Sequence, residues 1–181
     1  MIVKETKLKG CFILEPKIFR DSRGYFFESF NQDTFNQLIN QEVDFVQDNE
    51  SFSSKGVLRG LHFQKGEYAQ AKLVRVIKGK VLDIAVDIRK DSSTFGQYVA
   101  IELTEENKTQ LFIPKGFAHG FVVLSNTTIF SYKCDNFYHK ASEGGIIYND
   151  KDLKIDWKLE ENEFIVSEKD LQLPSFKEAA L

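Results

Sequence analysis

Most of this 181-residue chain alternates apolar and polar side chains with a period of two, which is the pattern of half-buried β-strands. The segment 81–88 constrains the fold most, because one of its faces carries Leu82, Ile84 and further aliphatic residues. Its other face carries Asp83 and Asp87 among smaller apolar residues. A strand that is apolar on both faces and acidic on one is typical of a β-sandwich or barrel lined by functional polar groups.

The same alternation predicts a series of short strands separated by tight turns. These strands span residues 24–30, 57–64, 71–78, 80–88, 98–103, 111–113, 120–124 and 128–134. The helical spacing of Phe35, Leu38 and Ile39 predicts one short helix over residues 31–40, on the outside of a sheet. Many short strands with few helices predict an all-β fold, an antiparallel sandwich or barrel, in one domain over residues 1–181.

The C-terminal part of the chain, residues 149–181, lacks a regular pattern. We expect it to hold one or two short helices that cover the sheet. Ser167 followed by Asp170 resembles a helix capping box, in which the Ser hydroxyl caps the helix and the acid lies in its first turn.

Charge and composition narrow the partners that this chain can have. The 24 Lys and Arg residues against 27 Asp and Glu give a formal net charge of −3, which argues against a broad nucleic-acid surface. A local basic pocket for a phosphorylated small molecule remains compatible with this total. No segment has the apolar length of a signal peptide or of a membrane helix. Because Cys11 and Cys134 are expected to be buried thiols without a disulfide, we expect a cytoplasmic protein. The charge and the lack of a long apolar segment lead us to expect no nucleic-acid and no membrane partner.

The segment Pro114–His119 turns sharply between two predicted strands, because Pro114 fixes φ and Gly116 permits a positive φ. Its PxGxxH spacing resembles the second motif of cupin barrels. The first cupin motif contains two His residues two positions apart, whereas the corresponding segment 60–64 has only His62. With three His in the whole chain, we expect a cupin-like barrel without a metal.

A longer set of motifs extends over nearly the whole chain. In order, they are DSRGYFFE at 21–28, GVLRGLHFQ at 56–64, AQAKLVR at 69–75, GKVLDIAVD at 79–87, TFG at 94–96, PKGFAHGF at 114–121, YKC at 132–134, EGGI at 143–146, IDW at 155–157 and SEKD at 167–170. In this order and spacing, the chain resembles the dTDP-4-dehydrorhamnose 3,5-epimerase family over roughly residues 2–175.

The resemblance implies an enzyme without cofactor or metal that inverts C3 and C5 of dTDP-4-dehydro-6-deoxy-D-glucose to give dTDP-4-dehydro-L-rhamnose. The C4 keto group activates both carbons, because each carbanion is delocalised onto the same oxygen as an enolate. Such a reaction needs a base on one face, an acid on the other and a positive donor at the enolate oxygen. The resemblance also implies a homodimer in which N-terminal strands cross into the neighbouring subunit.

The resemblance assigns four catalytic roles. His62 is the candidate base, and Asp170 is the carboxylate that orients its ring. Lys72, which shares a strand face with aliphatic residues, is the candidate enolate stabiliser, and Tyr132 is the candidate acid on the opposite face. Local sequence alone leaves open a core His, a capping Asp, an outward Lys and a core Tyr at these positions.

The remaining site residues are expected to bind the substrate. Arg23, Arg59 and Lys169 are candidates for the diphosphate, because cationic side chains bind phosphate oxygens. His119 and Asp83 are expected to form a second His–carboxylate pair that supports the pocket. Contacts to the thymine, ribose and sugar are expected from Phe19, Phe26, Glu28, Gln47, Asn49 and Tyr138. The resemblance further implies that Arg23 and Phe26 serve the site of the partner subunit.

Three other functions stay open on the sequence alone. An enzyme of the same family can invert only C3 or only C5, or act on another nucleotide-linked 4-ketosugar. A metal-dependent cupin, such as a dioxygenase, is disfavoured by the missing second His of the first motif. A non-catalytic sugar-nucleotide-binding cupin would keep the pocket without proton transfer.

Overall fold

The computed structural model describes residues 1–179 of the chain. Within this range, strands dominate, which confirms the predicted all-β class. The strands are β1 (Ile2–Glu5), β2 (Phe12–Glu15), β3 (Phe19–Asp21), β4 (Gly24–Phe26), β5 (Gln47–Ser54), β6 (Val57–Gln64), β7 (Lys72–Lys78), β8 (Lys80–Asp87), β9 (Tyr98–Thr104), β10 (Gln110–Ile113), β11 (Phe117–Val123), β12 (Thr127–Cys134), β13 (Glu143–Gly145) and β14 (Ile165–Val166). The α-helices are α1 (Gln32–Ile39) and α2 (Glu168–Leu171), and single turns of 3-10 helix span Gly66–Tyr68, Lys140–Ser142 and Glu161–Glu163.

Two sheets, built from strands far apart in sequence, make up the fold. The first sheet has the order β1-β2-β10-β7-β12-β5, and the second has the order β13-β6-β11-β8-β9 with β14 added parallel to β6. All other neighbouring strands are antiparallel, as predicted. The outer strands of one sheet do not pair with those of the other, so the described residues form an open, cupin-like sandwich instead of a closed barrel.

Strand β8 lies between two hydrophobic cores, which explains its double apolar pattern. Ala85 belongs to the core between the two sheets, together with Val74 and Phe130 of the first sheet. Ile84, on the opposite face, packs with Trp157 and the C-terminal segment that covers the outside of the second sheet. The predicted alternation over this strand is confirmed, because neighbouring residues enter different cores.

Helix α1 covers the outer face of the first sheet, as predicted. Asn31 caps it by accepting a hydrogen bond from the Thr34 N–H at 3.1 Å. Asn40 ends the helix in the left-handed conformation. Phe35 and Ile39 are buried against the sheet, as their helical spacing predicts, whereas Leu38, the third residue of the predicted face, is 42% exposed.

Several strands differ from their predicted extents, and polar strands were missed. The predicted strand 24–30 is limited to β4, which pairs only with β3 in a hairpin separate from both sheets. Strand β5 was not predicted, because its sequence QDNESFSS contains almost no apolar residue. It forms since all eight of its residues pair with β12. Hydrogen bonding to a neighbour far along the chain, and not local hydrophobicity, determines this strand.

The C-terminal segment is largely irregular and holds the short helix α2, as predicted. Cys11 and Cys134 are both buried and free, as expected. Among residues 1–179, no helix combines the length and hydrophobicity needed to cross a membrane.

Candidate functional site

A cavity of about 560 Å³ is lined by strands of both sheets and by the segment around α2. One wall comes from β6 and β11 of the second sheet, and the facing wall comes from β5, β7 and β12 of the first. Its polar lining residues are Ser51, Arg59, His62, Lys72, His119, Tyr132, Ser167, Lys169 and Asp170. Several side chains able to transfer protons or bind anions therefore converge on one space.

A β-bulge in β6 brings Arg59 and His62 to the same cavity. Residues three positions apart on a regular strand point to opposite faces. Here His62 lies opposite His119 of β11, whereas Arg59 lies opposite Phe121, so β6 contains one more residue than β11 between these pairs. The extra residue reverses the alternation, and both side chains line the cavity.

Two glycines make this bulge sterically feasible. Gly60 has a φ of +122°, and a Cβ on it would lie 2.6 Å from the Gly120 Cα. A Cβ on Gly120 would lie 2.7 Å from the Arg59 carbonyl oxygen. Because real Cβ atoms do not approach other atoms so closely, the backbones of β6 and β11 can meet here only if both residues are Gly.

His62 and Asp170 form a close pair at the cavity wall. The Nε2 of His62 lies 2.7 Å from Asp170 Oδ1, and the side chain of Asp170 is 5% exposed. Asp170 Oδ2 also accepts a hydrogen bond from the Gly60 N–H at 3.3 Å. Burial raises the pKa of the Asp170 carboxyl, but the hydrogen bond and charge of His62 outweigh burial and hold that pKa below its ordinary value. The carboxylate is therefore ionised and accepts the Nε2–H, which leaves Nδ1 as the proton-accepting nitrogen.

Asp170 does not use its carboxylate to cap helix α2. The Ser167 hydroxyl accepts a hydrogen bond from the Asp170 N–H at 3.1 Å, which is one half of a capping box. The other half, a bond from the Ser167 N–H to the Asp170 carboxylate, is absent from the described residues. The carboxylate contacts His62 and Gly60 instead, so the capping interpretation does not account for this side chain.

A second His–carboxylate pair lies beside the first. The Nε2 of His119 lies 2.9 and 3.0 Å from the two carboxylate oxygens of Asp83, and both residues are buried. The contact provides the partner that a buried carboxylate requires. Because His119 is opposite His62 in the β6–β11 ladder, the two imidazoles stand side by side on the same wall.

Lys72 and Tyr132 occupy the facing wall, on neighbouring strands of the first sheet. The Nζ of Lys72 lies 5.8 Å from the centre of the Tyr132 ring. Burial lowers the pKa of Lys72, and burial raises the pKa of the Tyr132 phenol. Tyr132 is therefore neutral and able to donate a proton, while Lys72, whose charged form burial disfavours, lacks a salt bridge within residues 1–179.

The cationic residues of the cavity differ in how firmly they are held. The guanidinium of Arg59 donates to Ser53 Oγ from Nε at 3.3 Å and from Nη2 at 3.2 Å. The ammonium of Lys169 lies 2.7 Å from Glu143 Oε2, which also accepts a hydrogen bond from the Tyr138 hydroxyl at 3.2 Å. Burial raises the pKa of Glu143, but the contact with Lys169 outweighs it, so the carboxyl is ionised.

A smaller cavity of about 370 Å³ shares His62, Lys72 and Tyr132 with the first, so the two spaces are adjacent. Gln47 and Asn49 line it and are joined by a hydrogen bond of 3.1 Å. Together the cavities offer room for an extended ligand with an anionic centre. Its reacting part would lie between the imidazoles of one sheet and the amine and phenol of the other.

Comparison with known proteins identifies the family of this chain. Residues 5–178 match the family model described as dTDP-4-dehydrorhamnose 3,5-epimerase. The chain belongs to this family. It is 55% identical to the dTDP-4-dehydrorhamnose 3,5-epimerase of Salmonella typhimurium, with 100% of this chain and 98% of that protein covered.

Solved structures agree with the family assignment. The crystal structure of the epimerase from Elizabethkingia anophelis has a TM-score of 0.95 and 57% sequence identity, covering 98% of this chain and 97% of that one. The structure of dTDP-6-deoxy-D-glucose-3,5-epimerase from Legionella pneumophila, in complex with dTDP-4-keto-L-rhamnose, has a TM-score of 0.94 and 48% identity, with 98% and 93% covered. These similarities extend over the whole epimerase fold.

Five residues that were expected at the substrate line neither of these two cavities in the described chain, and one of them is Asp83, which is buried against His119. Phe19, Arg23 and Phe26 lie on the β3–β4 hairpin, where Arg23 Nε donates to Asp21 Oδ2 at 3.2 Å. Phe26 is 69% exposed, which is unusual for so large an apolar side chain. Glu28 is exposed and contacts Asn31. Their roles in binding stay predictions.

Three polar residues at the site had no role predicted from the sequence. Glu143 lies in the EGGI segment and bridges Tyr138 and Lys169. Ser51 and Ser53 lie on β5, and the two-residue spacing that they share with Asn49 is the signal that could have identified them. Within residues 1–179, no group of three or more His, Cys, Asp or Glu side chains is arranged to hold a metal ion.

Proposed function

We propose that this protein inverts C3 and C5 of dTDP-4-dehydro-6-deoxy-D-glucose to give dTDP-4-dehydro-L-rhamnose. The observation that carries the proposal is the placement of the His62–Asp170 pair on one wall of a cavity and of Lys72 and Tyr132 on the facing wall. A base and an acid on opposite faces of a bound sugar are what an inversion at carbon requires.

The first half of the reaction is proton abstraction by His62. Nδ1 of the imidazole takes the proton from the carbon next to the C4 ketone, and the electron pair of that C–H bond moves onto the ketone oxygen. The resulting imidazolium is stabilised by the Asp170 carboxylate at 2.7 Å. The imidazolium then releases its proton to solvent, so His62 can act again at the second carbon.

The second half needs charge stabilisation and reprotonation from the other face. Lys72 is the cation available to the enolate oxygen, since among the described residues no carboxylate forms a salt bridge with it. The neutral Tyr132 phenol donates its proton to carbon as the enolate collapses back to the ketone. Tyr132 recovers a proton from solvent before the next inversion. Removal on one face and return on the other inverts the centre.

Arg59 and Lys169 are proposed to bind the diphosphate, Gln47 and Asn49 to bind the nucleoside, and Tyr138 to border the sugar. Arg59 spends two donors on Ser53 and retains others for phosphate oxygens. Lys169 is held by Glu143 at the rim of the cavity. Positive charge is thus concentrated at the site in a chain whose net charge is −3.

We also propose a homodimer in which the β3–β4 hairpin completes the site of the partner subunit. The exposed rings of Phe19 and Phe26 and the exposed guanidinium of Arg23 support this proposal, because they are suited to stacking on a base and binding phosphate. Mixing His62→Asn protein with Arg23→Ala protein tests it. Turnover that is restored in the mixture supports a shared site. Turnover no higher than the sum of the two separate variants refutes it.

A cytoplasmic location is part of the same proposal. Two buried cysteines without a disulfide suit a reducing compartment. Fractionation of cells that express the tagged protein tests the location, and recovery outside the cytoplasmic fraction would contradict it.

Turnover of dTDP-4-dehydro-6-deoxy-D-glucose in D2O, followed by NMR, tests the reaction. We expect deuterium at both C3 and C5 and formation of the L-sugar. Label at one carbon with a single inversion would replace the proposal by a C3-only or C5-only epimerase. Binding without any label would indicate a non-catalytic sugar-nucleotide-binding protein.

A matched pair of His variants controls this experiment. His62→Asn is expected to keep nucleotide binding and to lose turnover by at least about a hundredfold, because it removes the base. His139→Asn changes a residue that stacks on Tyr68 and lines neither cavity, so it is expected to retain turnover. Equal turnover in the two variants would refute the role of His62.

A further inference from the structure

Ser51 is the one residue of the described chain with a buried side-chain nitrogen or oxygen that lacks a hydrogen-bond partner. Buried polar groups are almost always paired in folded proteins, because an unpaired hydroxyl loses its bonds to water without replacement. Ser51 is among the residues that line the 560 Å³ cavity, although its Oγ is buried in the free protein. A rotation about its Cα–Cβ bond is therefore expected to bring the hydroxyl to a partner in the cavity.

The neighbours of Ser51 on β5 show that its free hydroxyl is exceptional. Gln47, Asn49, Ser51 and Ser53 alternate along the strand with exposed residues, so the four side chains share one face. Asn49 contacts Gln47 and Cys134, and Ser53 accepts bonds from Arg59. Only Ser51 on this face is left without a partner within residues 1–179.

The position of Ser51 limits which part of a ligand it can reach. Asn49, two residues before it, is opposite Tyr132 in the ladder, and Ser53, two residues after it, holds Arg59. Each two-residue step along a strand covers about 7 Å. Ser51 thus lies one such step along β5 from the residue opposite Tyr132. Its ladder partner, Phe130, offers no polar group.

We propose that the Ser51 hydroxyl hydrogen-bonds an oxygen of the hexose and fixes the sugar ring between His62 and Tyr132. The inference rests on the proposed function, because it assumes that a hexose occupies this part of the cavity. Ser51 binds and orients the sugar and takes no part in proton transfer. The cost of leaving its hydroxyl unpaired in the free protein is recovered when the sugar binds.

Ser51→Ala separates this role from a structural one. Removing an unpaired buried hydroxyl does not weaken the free fold, so the ligand-free melting temperature is expected to equal or exceed that of the wild type. A fall in the melting temperature would show that the hydroxyl has a partner in the free protein, and would overturn the proposal. Ser54→Ala, on the exposed face of the same strand, is the matched control, with the stability and ligand affinity of the wild type expected.

Calorimetric titration with dTDP and with dTDP-L-rhamnose identifies the atom that Ser51 binds. Ser51→Ala is expected to weaken binding of dTDP-L-rhamnose by about 5- to 30-fold and to leave dTDP binding unchanged. Equal weakening of both ligands would place the hydroxyl on the diphosphate and refute the hexose contact, as would unchanged affinity for both. If the wild type bound neither ligand, the proposed function itself would fail, and this inference with it.

Discussion

Asp170→Asn tests the catalytic pair sharply, because the site uses both oxygens of this side chain as acceptors. Oδ2 accepts from the Gly60 N–H, and Oδ1 accepts from His62 Nε2. Asparagine has nearly the same shape but only one oxygen. If that oxygen faces Gly60, the amide NH2 donates to Nε2 and moves the ring proton to Nδ1. If the amide is flipped, its NH2 faces the Gly60 N–H, so that two donors meet.

The structure allows the size of the effect to be estimated. The charge-assisted bond between carboxylate and imidazolium is worth about 1.5–3 kcal/mol, which corresponds to about 10- to 150-fold in rate. Fixing the wrong tautomer adds to this loss, because Nδ1 then has no lone pair for the substrate proton. In serine protease triads the same substitution costs about 10⁴-fold. We expect kcat to fall by about 10²- to 10⁴-fold.

The assay is the rate of deuterium incorporation into the keto sugar in D2O, measured together with the melting temperature. Ser167→Ala is the matched control, since it loosens the same end of α2 without removing either acceptor oxygen. It is expected to cost about 1 kcal/mol of stability and to reduce turnover by less than about tenfold. If Asp170→Asn kept kcat within tenfold of the wild type, or if Ser167→Ala lost as much, the carboxylate would not support the base.

Three further predictions concern single residues. Lys72→Met should lower kcat by about 10²- to 10³-fold without lowering the melting temperature, because it removes a partly buried amine that has no salt bridge within residues 1–179; unchanged kcat would contradict the enolate role. Tyr132→Phe should still exchange substrate protons with D2O, while its rate of net inversion falls by about 10²-fold. An equal loss of exchange and of inversion would rule out a separate acid. Burial raises the pKa of Asp87, but hydrogen bonds from Arg89 and two hydroxyls outweigh it and lower that pKa from 3.8 to about 2. This depressed pKa contributes about 2 kcal/mol of stability above pH 4, which is lost as the pH falls through 2. Urea unfolding of Asp87→Asn and wild type should therefore converge at low pH, and parallel pH profiles would refute the assignment.

The sequence identified most of the strands whose apolar pattern is created by the core, although it missed β2, which buries Leu14. Strand β6 was predicted with the observed bounds, and β8 was predicted with aliphatic residues on both faces, because both strands pack against two cores. Strand β5 was missed for the opposite reason. Its inward face borders a cavity, so it carries amides and hydroxyls that hydrophobic periodicity does not detect. A strand that lines a ligand site resembles a loop in local sequence.

The site residues were accessible from the family resemblance, and local rules alone would have separated two of them. Arg59 and His62 are three positions apart, so a period of two places them on opposite faces of β6. They share the cavity because Gly60 adds a residue to the strand, and the strand can do so because Gly120 faces it across the ladder.

That bulge depends on a pair of glycines 60 positions apart, which no local pattern connects. The regular strands on either side of it follow the alternation rule and pack the cores. The departure at Gly60 places a base and a phosphate-binding guanidinium in the same cavity. Local prediction fails here for a physical reason: directing neighbouring functional groups into one site requires departing from the pattern that maximises burial.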